Sequence, residues 1–396
     1  MTVVSRATWP EAVASRADAP IEHLYVHMPF CRQLCPYCDF NSYAGRDAEM
    51  GPYLEALEAE LEAWSPWLRA KTVFVGGGTP THGRVDVIAR QAEAIGRHVR
   101  GPQLVEWTVE ANPGTLEIAK VEALMAAGVN RVSLGAQSFH PTHLATLGRA
   151  HGPADTVRAI EILRRAGMPR LSLDLILAIP GQSLGEQRAD VRRVVDLSPD
   201  HVSAYVLTYE PGTAFTRAWE EGRLPGPDPD RELAHLDATA EILEAAGLER
   251  YEISNFATPG NESQHNLAYW RNADWIAVGA GGHGHVRGKR WKLEDDPARY
   301  VARVRAGDVP VSFEEEVEAD ARAVEHLLMG LRLAEGVDIE LVRERTGVDV
   351  AVTRAQALSS LEAQGLVRRA GLRLVATPAG RNVLDTVLGL LAEPDA

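Results

Sequence analysis

Outside one eight-residue window this chain has no cysteine. Its 396 residues contain three, Cys31, Cys35 and Cys38, all within CRQLCPYCDFNSY. An odd count at such close spacing excludes a disulfide framework. A second CxxC, which would complete a four-thiolate zinc site, is missing. CxxCH is missing too, which excludes covalent c-type heme attachment. No apolar run approaches the length of a membrane-spanning helix. The first 20 residues, MTVVSRATWPEAVASRADAP, carry charges throughout and lack the apolar core of a secretory signal. Excess positive charge is absent: 41 Lys and Arg stand against 55 Asp and Glu, a net charge of −14. That argues against a general nucleic-acid or anionic-membrane surface. These absences lead us to expect a cytoplasmic protein with no integral membrane segment and no nucleic-acid partner.

What is present is a regular alternation. Short β-branched runs fall at 23–28, 72–77, 104–111, 130–137, 170–179 and 201–210. Segments with helical apolar spacing follow them at 52–64, 85–99, 116–128, 154–167, 184–197 and 231–247. Strict alternation means a parallel sheet with right-handed crossovers. Six units predict an incomplete (βα)6 barrel, with a doubly wound open sheet as the alternative. In both, ligands bind at the C-terminal ends of the strands. The chain divides into a mobile arm (1–21), the partial barrel (22–250), a Gly-, His- and Trp-rich extension and linker (251–315) and a C-terminal module (316–396). In the module three helices precede a short hairpin, which predicts a winged-helix-like α+β fold. From residue 320 onward it has 9 Arg and no Lys against 11 Asp plus Glu. An electrostatic footprint for phosphates is therefore lacking. Packing or partner docking is expected instead, such as a lid over the barrel.

Three thiolates spaced C-x3-C-x2-C fall one ligand short of a four-ligand site. One reading is structural zinc with His27 as the fourth ligand. The other is a cubane cluster with three irons held by Cys31, Cys35 and Cys38 and the fourth open to an exchangeable ligand. The loop directly follows the first strand, at the ligand end of a barrel, and Tyr37 stands between its last two thiols.

This spacing resembles the signature of the radical S-adenosylmethionine (SAM) superfamily. The resemblance implies a 4Fe-4S cluster whose open iron is chelated by SAM, with one electron from the cluster cleaving SAM to a 5′-deoxyadenosyl radical. It also implies an electron donor for the cluster. Residues at the other strand ends resemble that superfamily's SAM contacts. These are Tyr25 on the first strand and Gly76, Gly77, Gly78 and Thr79 after the second. Glu110, Gln137, Arg149 and Asp174 follow at later strands. Taken singly, each of the last four reads as ordinary polarity; their joint placement points to ligand binding.

The segments LYVHMPFCRQLCPYCDFNSY, VGGGTPT, VEANPGT, NRVSLGAQSF, LGRAH, LDLILAIPGQ and YEISNFATPG resemble the oxygen-independent coproporphyrinogen III oxidase family over residues 23 to about 390. One branch decarboxylates coproporphyrinogen III; the other, the HemW-type branch, consists of heme chaperones. The oxidase branch has a fourth cysteine two residues after the third, where this chain has Phe40. QHNLAYWR resembles the HNxxYW segment of the chaperone branch. The chaperone reading implies heme as cargo, an acceptor protein for it, and His265, Asn266, Tyr269, Trp270 and His283 as heme-binding candidates. A core-packing turn with a hydrogen-bonded His265 is the competing reading of that segment. GAGGHGH, with His283 and His285, reads either as a ligand approach or as a structural turn. His23, His27 and His201 are expected to be structural.

Overall fold

The structure, a computed structural model, describes residues 8–99 and 101–394. The expected N-terminal arm is anchored within the described residues. Helix α1 (Trp9–Ala14) sets Trp9 edge-on against Trp64 and Trp291, with centroids 5.7 and 5.2 Å away. Trp9 is buried because an indole is too large an apolar surface to leave in water beside two others. Residues 1–7 lie outside the described residues.

The six expected strands form as β1 (Ile21–Met28), β2 (Leu68–Gly77), β3 (Glu106–Ala111), β4 (Arg131–Gln137), β5 (Arg170–Leu177) and β6 (His201–Val206). Between them run α2 (Met50–Trp64), α3 (Val85–Val99), α4 (Ile118–Ala127), α5 (Pro141–Thr146), α6 (Pro153–Ala166) and α7 (Leu184–Asp196). Helices α8 (Ala214–Glu220) and α9 (Pro229–Ala245) follow β6. The six strands pair in parallel and in chain order. No order reversal occurs among them, which removes the doubly wound alternative.

Residues 249–316 continue the same sheet. Strands β7 (Glu249–Arg250) and β8 (Asn255–Ala257) add antiparallel beyond β6. On the other edge β9 (Trp275–Val278) pairs in parallel with β1. Strands β10 (His283–Val286), β11 (Lys289–Leu293) and β12 (Val311–Glu316) then follow antiparallel. Helix α10 (Gln264–Trp270) precedes β9, and α11 (Pro297–Arg305) lies between β11 and β12.

The sheet curls. Neighbouring strands lie about 4.8 Å apart, so β1 and β6 would be about 24 Å apart in a flat sheet. Yet Tyr25 of β1 and Ser203 and Tyr205 of β6 line one cavity of 160 Å³. The sequence alternation explains the curvature's two faces. Leu24, Val26, Val73, Val75, Trp107 and Val109 point outward and pack under α2, α3 and α4. Val132, Leu134, Leu173, Leu175 and Val202 do the same under α6, α7 and α9. The residues between them, among them Tyr25, Thr108, Glu110, Arg131, Ser133, Asp174 and Ser203, face inward. A parallel sheet is usually apolar on both faces; here the inner face is polar.

Residues 251–270 seal the N-terminal end of this polar interior. Glu106 is fully buried and lies 3.3 Å from Arg131. Its carboxylate also accepts the backbone amides of Gln264 and His265 at 3.0 and 3.1 Å. His201 bonds the hydroxyls of Ser172 and Tyr251 at 2.8 Å each, so it is structural, as expected.

The C-terminal module contains α12 (Ala319–Gly330), β13 (Val337–Asp338), α13 (Ile339–Thr346), α14 (Val350–Thr353), α15 (Ala355–Ala363), β14 (Val367–Ala370) and β15 (Arg373–Ala376). Helices α16 (Pro378–Asn382) and α17 (Leu384–Ala392) end it. Its sheet order, β13-β15-β14, is that of a winged helix. The module docks near the N-terminal ends of the barrel strands. The Ala334 amide donates to the Tyr251 carbonyl at 2.9 Å, and Arg345 donates to the Arg271 and Asn272 carbonyls at 3.2 Å each. No described residue of the module lines the cysteine cavity itself, but Met329 of α12 reaches the wall of the larger cavity beside the cysteine loop.

Glu106→Ala would leave buried Arg131 and two helix amides unpaired. We expect it to lower stability by about 3–5 kcal/mol, read as a urea-unfolding midpoint shift; an unchanged midpoint would contradict this role.

Candidate functional site

The three cysteines are free thiols on the loop that leaves β1. They line a cavity of 450 Å³ with Gly77, Gly78, Thr79, Glu110, Gln137, Arg149 and Asp174. The end of β2 lies directly against the cysteine loop. The Gly78 amide donates to the Met28 carbonyl at 2.8 Å, and the Thr79 amide to Phe30 at 2.9 Å. Glycine is required for this approach. A Cβ on Gly78 would lie 2.8 Å from the Phe30 oxygen, and one on Gly77 (φ +109°) 2.6 Å from the His27 ring.

A polar network fixes the thiols. Cys31 Sγ is 3.3 Å from the Thr79 hydroxyl, which accepts from the Asn112 amide at 2.8 Å. Arg149 donates to Cys35 Sγ at 3.5 Å, to the Tyr37 hydroxyl at 3.3 Å and to Asn112 Oδ1. Burial pushes the Cys38 thiol up to about 11 and also raises Cys31. Thiols become strong ligands only on losing that proton.

Two carboxylates lie deeper. The Gly77 amide donates to Glu110 Oε2 at 3.2 Å. Burial, with neighbouring Asp174 adding repulsion, raises Glu110 to about 8. Asp174 accepts from the Ser133 hydroxyl at 2.9 Å and is also raised by burial. Gln137 lines the same cavity with a left-handed backbone, φ 64°. Tyr25 is placed differently from expectation. Its hydroxyl is 2.9 Å from His27 Nδ1, and it lines the inner chamber and the aromatic cavity beyond it, not the cysteine cavity.

The donor set fits a cluster. The cavity offers three thiols and no imidazole. His27 has no free lone pair for zinc: its Nε2 donates to the Asn41 carbonyl at 2.7 Å, leaving Nδ1 to accept from Tyr25.

A second cavity, of 830 Å³, adjoins the first. Asp39 and Phe40 line both. Tyr43, Asn266, Tyr269, Trp270, Trp275, His283 and Lys292 complete much of its wall. Asn41 stitches the cysteine loop to this wall through the Ala280 and Asp295 carbonyls at 3.1 and 2.9 Å. His283 is exposed into the cavity, and burial with nearby Lys292 lowers its pKa, which favours the neutral imidazole. His265 is not brought to this cavity. It is buried on the barrel side of α10, with Nδ1 2.7 Å from the Thr72 hydroxyl and Nε2 3.0 Å from the Tyr269 hydroxyl. His285 faces the N-terminal end, where the Gly288 amide donates to it at 3.1 Å.

Sequence reasoning missed Asn112, Ser133, Tyr205, Trp275 and Lys292 as lining residues. Asn112 lies two residues after Glu110, and Ser133 two after Arg131 and opposite Glu110 in register, so the inward period of each strand could have flagged them.

The curled sheet, three-cysteine loop and glycine-ended second strand define a radical SAM protein. The family model "Radical SAM superfamily" matches residues 25–194, and "HemN C-terminal domain" matches 317–383. Membership of that superfamily implies a 4Fe-4S cluster and SAM. The chain is 34% identical to heme chaperone HemW of Bacillus subtilis over 92% of this chain and 97% of that protein. It is 37% identical to HemW of Escherichia coli, over 93% and 98%. It therefore belongs to the HemW family. The solved structure of coproporphyrinogen III oxidase (HemN) from Escherichia coli superposes with a TM-score of 0.83 at 22% identity, covering 96% of this chain and 92% of that one. That likeness shows a shared fold.

Glu110 makes stability depend on pH. Between its unfolded value near 4.5 and about 8, the folded ligand-free protein keeps a proton that the unfolded chain has lost. Stability from this group therefore falls as pH rises through that window. Glu110→Gln should match the parent near pH 4.5 and exceed it by roughly 2–5 kcal/mol above pH 8. Parallel unfolding curves at both pH values check this; a variant less stable at high pH would contradict it.

Proposed function

We propose that the chain is a heme chaperone that carries heme beside a SAM-ligated 4Fe-4S cluster and passes it to an acceptor protein. The supporting observation is the 830 Å³ cavity, walled by Phe40, Tyr43, Tyr269, Trp270 and Trp275 and sharing Asp39 and Phe40 with the cysteine cavity. Aromatic faces match a flat macrocycle. His283 offers a neutral imidazole for the iron, and Lys292, paired with Asp295 at 2.8 Å in the same wall, would exchange that partner for a propionate. The relatives' description as heme chaperones supports the same reading.

In this reading Cys31, Cys35 and Cys38 ligate the cluster, which when bound supplies one-electron chemistry and an open iron for SAM. Gly76, Gly77 and Gly78 leave the end of β2 without side chains, so backbone carbonyls there would be free to accept from the amino group of a bound SAM. Glu110 would hold the same amino group; a cation there would favour its ionised form and offset the cost of its burial. Thr79, Gln137, Arg149 and Asp174 complete the polar wall, and Tyr37 leans over the ligand. Tyr25 acts through His27, orienting the loop. Phe40 replaces the oxidase branch's fourth cysteine with a ring shared by both cavities. Coproporphyrinogen III oxidation is the competing activity; we expect no protoporphyrinogen from cluster-loaded protein given SAM, reductant and coproporphyrinogen III.

Heme titrated into anaerobically cluster-loaded protein should give a saturable Soret shift. His283→Ala should weaken binding at least tenfold and move the band. Phe40→Ala should weaken it several-fold without moving the band. His265→Gln should lower stability yet keep the band position. An unchanged titration in His283→Ala, with loss in a folded His265→Gln, would overturn this ligand assignment.

A further inference from the structure

Away from both cavities, the loop leaving β4 gathers three metal-ligating side chains. His140 caps α5, His143 lies within that helix, and Glu186 sits in the first turn of α7. His140 Nε2 is 3.6 Å from Glu186 Oε1, and His143 Nε2 is 3.4 Å from Glu186 Oε2. Ligand atoms from all three lie within 4.8 Å of one another. These separations are too long for good hydrogen bonds. They suit co-ligands instead: bonds of about 2.0–2.1 Å at tetrahedral angles set zinc ligand atoms roughly 3.4 Å apart.

The state of His143 is a separate observation. Its side chain is only 4% exposed, and neither ring nitrogen has a hydrogen-bond partner. His140 Nδ1 is likewise buried without one. Buried polar groups left this way are rare and unfavourable; coordination would engage one lone pair on each ring.

The surroundings fix the set in place. Glu186 Oε2 accepts from the Ser183 amide and hydroxyl at 2.8 Å each. Asp190, one turn further along α7, accepts from the Phe139 amide at 2.9 Å and the Ser138 hydroxyl at 2.5 Å. The loop and the helix are thus already joined beside the three ligands. His140 is 42% exposed, which leaves a solvent side for water to complete the shell.

We propose that His140, His143 and Glu186 form a binding site for a first-row divalent cation, zinc in preference. Two imidazoles and one carboxylate favour such an ion over magnesium or calcium. Bound there, it ties the loop that begins at Gln137 to α7 and completes that side of the barrel mouth.

Zinc titrated calorimetrically into cluster-loaded protein, whose cysteines are occupied, tests this. One zinc per chain is expected. His140→Ala, which removes a half-exposed side chain and should fold, and Glu186→Gln should each weaken binding at least tenfold. Zinc-edge absorption should show nitrogen and oxygen ligands with imidazole scattering and no sulfur. Absence of stoichiometric binding, sulfur ligation, or full affinity retained in His140→Ala would overturn the proposal.

Discussion

The fold depends on satisfying a polar inner face. Six parallel strands turn Thr, Ser, Glu, Arg, His and Asp side chains toward one another inside the barrel. Each would be costly in a dry interior without a partner. Glu106 meets that requirement at the closed end. It pairs with Arg131 from the next strand and takes two amides of α10 from 158 and 159 residues away. One buried carboxylate thus joins the barrel to the segment that seals it. At the other end Glu110 and Asp174 are raised by burial, a state that a bound cation would relieve.

That division gives the molecule a structural end and a working end. The winged-helix-like module docks at the first, and the cysteine loop opens at the second. At the working end the loop does two jobs. Its first half presents thiols, pinned through Thr79, Asn112 and Arg149. Its second half, from Asp39 to Tyr43, forms a wall of the larger aromatic cavity. Phe40 therefore belongs to both chambers, and one loop conformation serves both.

Much of this was legible in the sequence because it is local. Strand and helix periods placed α3 at its observed bounds, 85–99, and the other main elements within a few residues. Cysteine spacing and strand-end position marked the first cavity for the same reason. What escaped is non-local. WIAV is only four residues long, too short for periodicity to reveal a strand that extends the sheet beside β1. Trp9 was expected in a mobile arm because its partners, Trp64 and Trp291, are far away in sequence. The HNxxYW segment was ambiguous because one short helix has two faces. His265 faces the barrel and Trp270 the aromatic cavity, while Tyr269, bonded to His265, and Asn266 line both. Adjacency of histidine to aromatics could not say which face heme would meet.

The central claim is that SAM and heme occupy separate chambers that share one wall. Calorimetric titration of SAM into cluster-loaded protein, with and without saturating heme, tests it most directly. One SAM per chain is expected in both cases, with affinities within about tenfold of each other, because the two cavities adjoin through shared walls, Asp39 and Phe40 directly and Tyr25 and Tyr269 by way of the inner chamber, and do not share a volume. Loss of SAM binding in the heme-saturated protein would place both ligands in one cavity and contradict it.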